Sequence, residues 1–340
     1  MAKVIKRFNE TSSERLNSEP NPFIYQLHAT NVDKFVWLLM MVTLAPLKIT
    51  FGFVSLVFAW VPARLSVIGL PLQPDKPLSN WRLVLKDIAT FFANTTGYIG
   101  GLAPRTVKGV RASSKDATLL VVAPHTAFLD VMVGVMCGMP GVVSLLENAS
   151  LPLLGALFRA NQTIFLDKKD PLSRNKTAEA IRTRARSNGA WPQLLIYPEG
   201  MIGNGSALLP FKIGAFQPGV PIQPVTVKYP NRLDVTTWLD TGPSLLAMIS
   251  LWICTPVTKM EVEYHPVYNP SDEEKANPKL FAENVRSLMS QYLNVPMTDQ
   301  GPEQIKDLVR RSKPSMGVVS LWKNIFTKGD IEMPDKEHLS

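Results

Sequence analysis

The chain has 340 residues, of which 46% are hydrophobic and 19% charged. That apolar share excludes a disordered or fibrous protein, and a pair of cysteines, Cys137 and Cys254, excludes a disulfide framework or an all-cysteine zinc site. With 36 Lys and Arg against 28 Asp and Glu the net charge is +8, which suits an anionic membrane face, a phosphorylated ligand or nucleic acid.

Residues 1–30 are polar and read as a loosely ordered tail. Phe35 to Trp60 is a 26-residue apolar run with one charge, Lys48. About 20 such residues span a bilayer. Pro46 removes a backbone donor near the middle of the run, and Lys48 is costly at the bilayer centre. Residues 31–63 are therefore expected to form a membrane-embedded hairpin or one kinked transmembrane helix, with Trp37 and Trp60 as interface anchors. The alternative is a buried hairpin in a soluble core. Pro62, Pro71, Pro74 and Pro77 mark a linker. Trp81 to Gly101 has helical spacing. From residue 105 onward, strand-like runs (Thr118–Ala123, Thr163–Leu166, Gln193–Tyr197, Ile222–Val227, Met260–His265) alternate with helix-like ones (Phe128–Cys137, Lys176–Asn188). Alternation of this kind predicts an α/β domain over residues 64–300 with a largely buried sheet. Ser244–Cys254 is either a core helix or an interfacial one, and Pro278–Leu293 has amphipathic helical spacing. Residues 301–340 read as a polar tail in which Met316–Phe326 is a small interfacial helix or a frayed end.

Directly after the first strand comes Pro124-His125-Thr126-Ala127-Phe128-Leu129-Asp130. A His in a loop that opens a helix at a strand's end is well placed for catalysis. Five positions on one ideal helix leave two residues on different faces. His125 and Asp130 can therefore meet only if His125 precedes the helix and Asp130 lies in its first turns. A carboxylate on one imidazole nitrogen leaves the other as a general base. An isolated H-x-x-x-x-D is more often a capping Asp beside a surface His. Here four further blocks follow: Ile164-Phe165-Leu166-Asp167-Lys168; Tyr197-Pro198-Glu199-Gly200; Phe211-Lys212-Ile213-Gly214-Ala215-Phe216; and Val220-Pro221-Ile222-Gln223-Pro224-Val225.

In this order the blocks resemble the glycerolipid acyltransferase superfamily. Trp191-Pro192-Gln193, Tyr229-Pro230-Asn231 and Glu261-Val262-Glu263-Tyr264-His265-Pro266 make the wording most similar to its lysophosphatidylcholine acyltransferase family. The resemblance covers roughly residues 30–300. It implies an α/β fold with a mixed sheet flanked by helices and an N-terminal helical membrane anchor. It implies acyl transfer from acyl-CoA, as co-substrate and not a tightly bound cofactor, to a lysophospholipid hydroxyl. The acceptor is lysophosphatidylcholine or lysophosphatidylethanolamine, with lysophosphatidic acid as an alternative. His125 and Asp130 are the catalytic pair it implies. Phe165, Lys168, Arg174, Glu199, Gly200, Lys212 and Pro221 are the expected substrate-binding residues, with Arg174 gripping a phosphate and backbone N–H groups near Gly200 as oxyanion donors. Arg159 to Arg186 is strongly basic, and a solvated helix face is the bland reading for at least two of Arg182, Arg184 and Arg186. Lys168 stands where the family has Arg, and Met201 where it has Thr, which bears on acceptor preference. No metal is expected, nor calcium control, since no D-x-D-x-D-G loop is present. The N-x-[ST] triplets at Asn161 and Asn204 abut the blocks and are expected to be unglycosylated. That fits an endoplasmic reticulum membrane enzyme facing the cytosol, with the lipid droplet surface as a further location. A lipid-binding protein without turnover is a competing reading. Nucleic-acid binding is disfavoured because no recognition motif is present.

Overall fold

The computed structural model describes residues 20–301, 305–306, 309–310 and 315–333. The chain opens with β1 (Tyr25–His28), α1 (Asn31–Val42), α2 (Leu44–Ser66) and α3 (Asn80–Gly100). The domain behind them runs β2 (Leu102–Lys108), β3 (Leu119–Ala123), α4 (Val131–Met136), β4 (Gly141–Leu145), α5 (Leu154–Ala160), β5 (Ile164–Leu166) and α6 (Ser173–Ala185). It continues through β6 (Leu194–Ile196), β7 (Ile222–Lys228), α7 (Leu245–Cys254), β8 (Thr258–Tyr264), α8 (Asp272–Ala276) and α9 (Pro278–Leu293), and closes with α10 (Val318–Thr327) and β9 (Asp330–Met333).

Seven strands form one mixed sheet in the order β2-β8-β7-β3-β6-β4-β5. β7, β3, β6, β4 and β5 are mutually parallel, and β8 pairs antiparallel with β7. β3 sits centrally, and all five of its residues are buried. This is why its sequence is a continuous apolar run and not an alternating one. One face packs under α6 and α9 through Leu119, Val121, Phe281 and Val285. The other packs under α4 through Leu120, Val122 and Val133. Short β4, Gly-Val-Val-Ser-Leu, and β2 show no clear alternation in the sequence; they pair with β6 and β8, and Leu102, Val142 and Val143 pack into the core.

The apolar run breaks at Thr43, not at Pro46. Pro46 is the third residue of α2, where the backbone N–H has no helical partner to lose. The hairpin is formed by α2 and α3, not by the two halves of the run. Arg82 donates to Ser66 O at one end, and Gly52 faces Ile99 at the other. Buried Ala59, Ala63, Ala89 and Ala93 let the helices approach closely. The expected boundary at residue 63 therefore falls inside α2. Phe51, Phe53, Trp81, Val84 and Phe91 leave a broad apolar face exposed. Among the described residues α2 is the one helix long and apolar enough, by length and composition, to cross a membrane.

Lys48 is placed where two helices end. Its Nζ donates to Gly100 O (3.2 Å), Thr255 O (2.8 Å) and Pro256 O (3.3 Å), at the C-termini of α3 and α7. Those carbonyls have no helical partners and carry the negative end of the helix dipole. Trp37 is not an interface anchor: it is buried, donates to Thr255 Oγ1 and meets Trp322 edge to face.

The two expected tails are instead joined. β1 and β9 pair antiparallel. Tyr25, Leu27, Ile331 and Met333 share a core with Trp37, Leu251, Leu321 and Ile325. α7 contributes its inner face to this core while Leu246 stays exposed. The first 19 residues and residues 334–340 lie outside the described residues. Leu321 is fully buried, so Leu321→Ala is expected to cost about 2–5 kcal/mol. Thermal melts in detergent measure this, and an unchanged midpoint would mean that α10 is a frayed end after all.

Candidate active site

His125 lies at the C-terminal end of β3, in the loop before α4. A short 3-10 turn, Phe128–Asp130, turns the chain so that Asp130 faces back toward it. His125 Nδ1 and Asp130 Oδ2 are 2.7 Å apart. The same oxygen accepts from Thr126 N (2.9 Å) and Ala127 N (3.1 Å), and Oδ1 accepts from the Tyr229 hydroxyl (2.7 Å). Four donors thus hold a carboxylate that is 2% exposed, which answers the cost of burying a charge. The His125 side chain keeps 25% of its surface open. With Nδ1 taken by Asp130, Nε2 is the nitrogen left for a substrate.

Tyr197, at the end of β6, stacks on the imidazole with centroids 4.3 Å apart, and its hydroxyl donates to Asp130 O (2.9 Å). Tyr229 follows β7. The two strands beside β3 therefore each supply a tyrosine that clamps the pair. Burial and the nearby Asp130 charge push both phenols well above their ordinary range, so they stay protonated and can donate. Neither was singled out from the sequence as a site residue, although both stand in the blocks quoted above. Their only sequence signal is a polar-tipped aromatic at the end of an apolar strand.

Glu199 is also buried. Its Oε2 accepts from His125 N (2.6 Å) and its Oε1 from Leu209 N (2.8 Å). Burial, partly offset by these two bonds, pushes its carboxyl up to about 7. Glu199 thus ties the His125 backbone to the following loop. Gly200 has a φ of 61°, and a Cβ there would collide with the Lys212 side chain. Lys212 Nζ donates to Gly200 O (3.1 Å). The Gly200 N–H already donates to Tyr197 O at 3.2 Å, so it is not free as an oxyanion donor. Partial desolvation, then the charges of Arg174 and Lys168, lower the Lys212 ammonium. Those three cations form one cluster at the His125 end of the sheet, with Lys168 and Arg174 exposed.

Phe165 and Pro221 are not gathered with them. Phe165 is a buried residue of edge strand β5, about 14 Å from β3 at ~4.8 Å per strand. Pro221 precedes β7 and sits level with the start of β3, since Leu119 pairs with Ile222. At ~3.3 Å per residue it is about 20 Å from His125, at the opposite end of the sheet. Of the basic stretch, Arg184 is buried against Trp191 and bonds Gln162 O, and Arg186 bonds Pro218 O. The solvated-face reading fits Arg182, paired with Glu179 across one turn. Asn204 Nδ2 is occupied by Asn21 O and Ile24 O, both at 3.0 Å. Among the described residues no group of three or more His, Cys, Asp or Glu is placed to hold a metal.

A family model described as Acyltransferase matches residues 104–228. The mouse "Lysophospholipid acyltransferase LPCAT4" is 41% identical over 285 residues, covering 83% of this chain and 54% of that protein. Mouse "Lysophosphatidylcholine acyltransferase 2" is 40% identical over 291 residues (85% and 53%), and human "Lysophosphatidylcholine acyltransferase 1" is 38% identical over 291 residues (85% and 54%). The chain thus spans about half the length of the curated relatives it matches. The crystal structure of the "1-acyl-sn-glycerophosphate (LPA) acyltransferase, PlsC" from Thermotoga maritima superposes with a TM-score of 0.42 at 18% identity, covering 64% of this chain and 82% of that one. With the family match and about 40% identity over most of its residues, this chain belongs to the lysophosphatidylcholine acyltransferase family of the acyltransferase superfamily.

Proposed function

We propose that this protein transfers an acyl chain from acyl-CoA to the free hydroxyl of a lysophospholipid, lysophosphatidylcholine or lysophosphatidylethanolamine. The observation that carries this reading is an imidazole open on one side and bonded on the other to a buried, four-donor carboxylate. The lysophospholipid hydroxyl gives its proton to His125 Nε2 as its oxygen attacks the thioester carbonyl. The tetrahedral intermediate collapses with cleavage of the C–S bond, and the imidazolium returns the proton to the CoA sulfur. Asp130 holds the tautomer and balances the transient positive charge. No acyl-enzyme is needed, which suits a site in which the described cysteines are both buried. Lys168, Arg174 and Lys212 supply cations for the phosphates of acyl-CoA. The role of Glu199 is to fix the His125 loop.

The exposed apolar faces of α1, α2 and α3 support attachment to a bilayer. Phe35, Leu38 and Val42 of α1 are all more than half exposed. We place the enzyme at the endoplasmic reticulum membrane or a lipid droplet surface, with the sheet on the cytosolic side where acyl-CoA is made available.

His125→Ala is expected to lower turnover by about 10²–10⁴-fold with expression and membrane attachment retained. Asp130→Asn is expected to lower turnover more than it raises KM. Assays with labelled acyl-CoA on washed membranes measure both, and wild-type rates in His125→Ala would remove it as the base. Glu199 gives a pH signature. Its carboxyl moves from an ordinary 4.5 to about 7 on folding, so folding favours the protonated form. The stabilisation is complete below pH 4.5 and is lost as pH rises through 7, on the order of 3 kcal/mol at about 1.4 per pKa unit. Melts between pH 5 and 8 should fall for the wild type and fall less for Glu199→Gln. Equal slopes would mean that this carboxyl does not titrate in that window.

A further inference from the structure

A cavity of about 380 Å³ opens beside the catalytic loop. Pro124 and Thr126, the two neighbours of His125, form one wall, and Tyr229, whose hydroxyl holds Asp130, forms another. The loop that completes it is pinned to the catalytic loop. Trp238 N donates to Thr126 O at 3.1 Å, and Ala127 bridges Thr237. Two opposite charges line the cavity, Lys228 and Asp234. Among the described residues neither has an ion-pair partner. One oxygen of the Asp234 carboxylate accepts from Thr236 N (3.2 Å) and Thr237 N (2.9 Å), and the Thr237 side chain also bonds the carboxylate. Burial raises this carboxyl above its ordinary value, as expected of an acid set in a recess without a cation.

A recess with a fixed anion, a cation and an aromatic ring is complementary to a molecule that carries both charges itself. We propose that this cavity is the acceptor-headgroup subsite for a phospho-amine, with the phosphodiester at Lys228 and the ammonium or quaternary amine at Asp234 and the Tyr229 ring. The inference rests on the acyl-transfer reading and deepens it. A phosphate monoester without an amine satisfies Lys228 and leaves Asp234 unpaired beside added negative charge, so the recess favours lysophosphatidylcholine or lysophosphatidylethanolamine over lysophosphatidic acid. Because Tyr229 forms the wall between this cavity and Asp130, an occupied headgroup subsite rests against the residue that holds the catalytic carboxylate.

The test uses the full chain in detergent micelles with one acyl-CoA and three acceptors: lysophosphatidylcholine, lysophosphatidylethanolamine and lysophosphatidic acid. Asp234→Asn keeps an oxygen to accept from Thr236 and Thr237 and removes only the charge. Its kcat/KM for the amine-bearing acceptors, divided by that for lysophosphatidic acid, is expected to fall at least about tenfold, which corresponds to about 1.4 kcal/mol. Lys228→Met, on an exposed side chain, is expected to raise KM for all three acceptors with little change in that ratio. Glycerophosphocholine should compete with the acceptor in the wild type and compete more weakly in Asp234→Asn. If the wild type acylates an acceptor but Asp234→Asn leaves both the ratio and the competition unchanged, the headgroup assignment is wrong and the acyl-transfer reading stands. If the wild type acylates none of the three, the underlying reading fails and the assignment falls with it.

Discussion

The buried Asp130 carboxylate accepts from one imidazole, two backbone amides and one phenol, and the site is built outward from those four bonds. The two amides belong to the turn between His125 and Asp130, so the loop folds onto its own acid. The phenol comes from the end of β7, the imidazole is braced by Tyr197 from the end of β6, and the backbone of His125 is caught by Glu199 in the loop after β6. Each constraint originates on a strand adjacent to β3. The parallel arrangement brings the carboxyl ends of β3, β6 and β7 to one edge, where loops from separate parts of the chain meet. An imidazole held this way has its orientation fixed by the fold, as the proposed role of a general base requires.

The same economy governs the side that faces away from the sheet. α2 and α3 bury small residues against each other and keep their phenylalanines outside. A lone ammonium on such a surface would be expensive in lipid. Lys48 avoids this by capping two helix ends at once. It thereby stitches the α2–α3 hairpin to α7, which carries the core shared with β1, β9 and α10. The apolar face and the α/β domain are therefore one packed unit joined through a polar seam.

Much of this was legible in the sequence, for reasons that differ by residue. His125 and Asp130 are five positions apart, and their meeting depends only on a local turn. The central strands announced themselves by continuous apolar runs because both faces of the sheet are covered. Tyr197 and Tyr229 were not legible as site residues, since their contacts with Asp130 span 67 and 99 positions and a tyrosine at a strand end is as easily a core residue. Pro221 lies at the opposite end of the sheet from His125; a motif fixes which strand a residue flanks but not which end of the sheet that is. β1 and β9 were read as tails because each is four residues long and finds its partner about 300 positions away, where no local periodicity points.

The central claim is direct transfer from thioester to alcohol at His125, and the coupling between its two products tests it most directly. Purified protein in mixed micelles is given acyl-CoA labelled in the acyl chain, with and without lysophosphatidylcholine, and both free thiol and labelled diacyl lipid are followed. The account predicts that the two appear together in equal amounts and only when the lysophospholipid is present. Release of thiol at the full rate without an acceptor would contradict it, as would label held covalently on the protein.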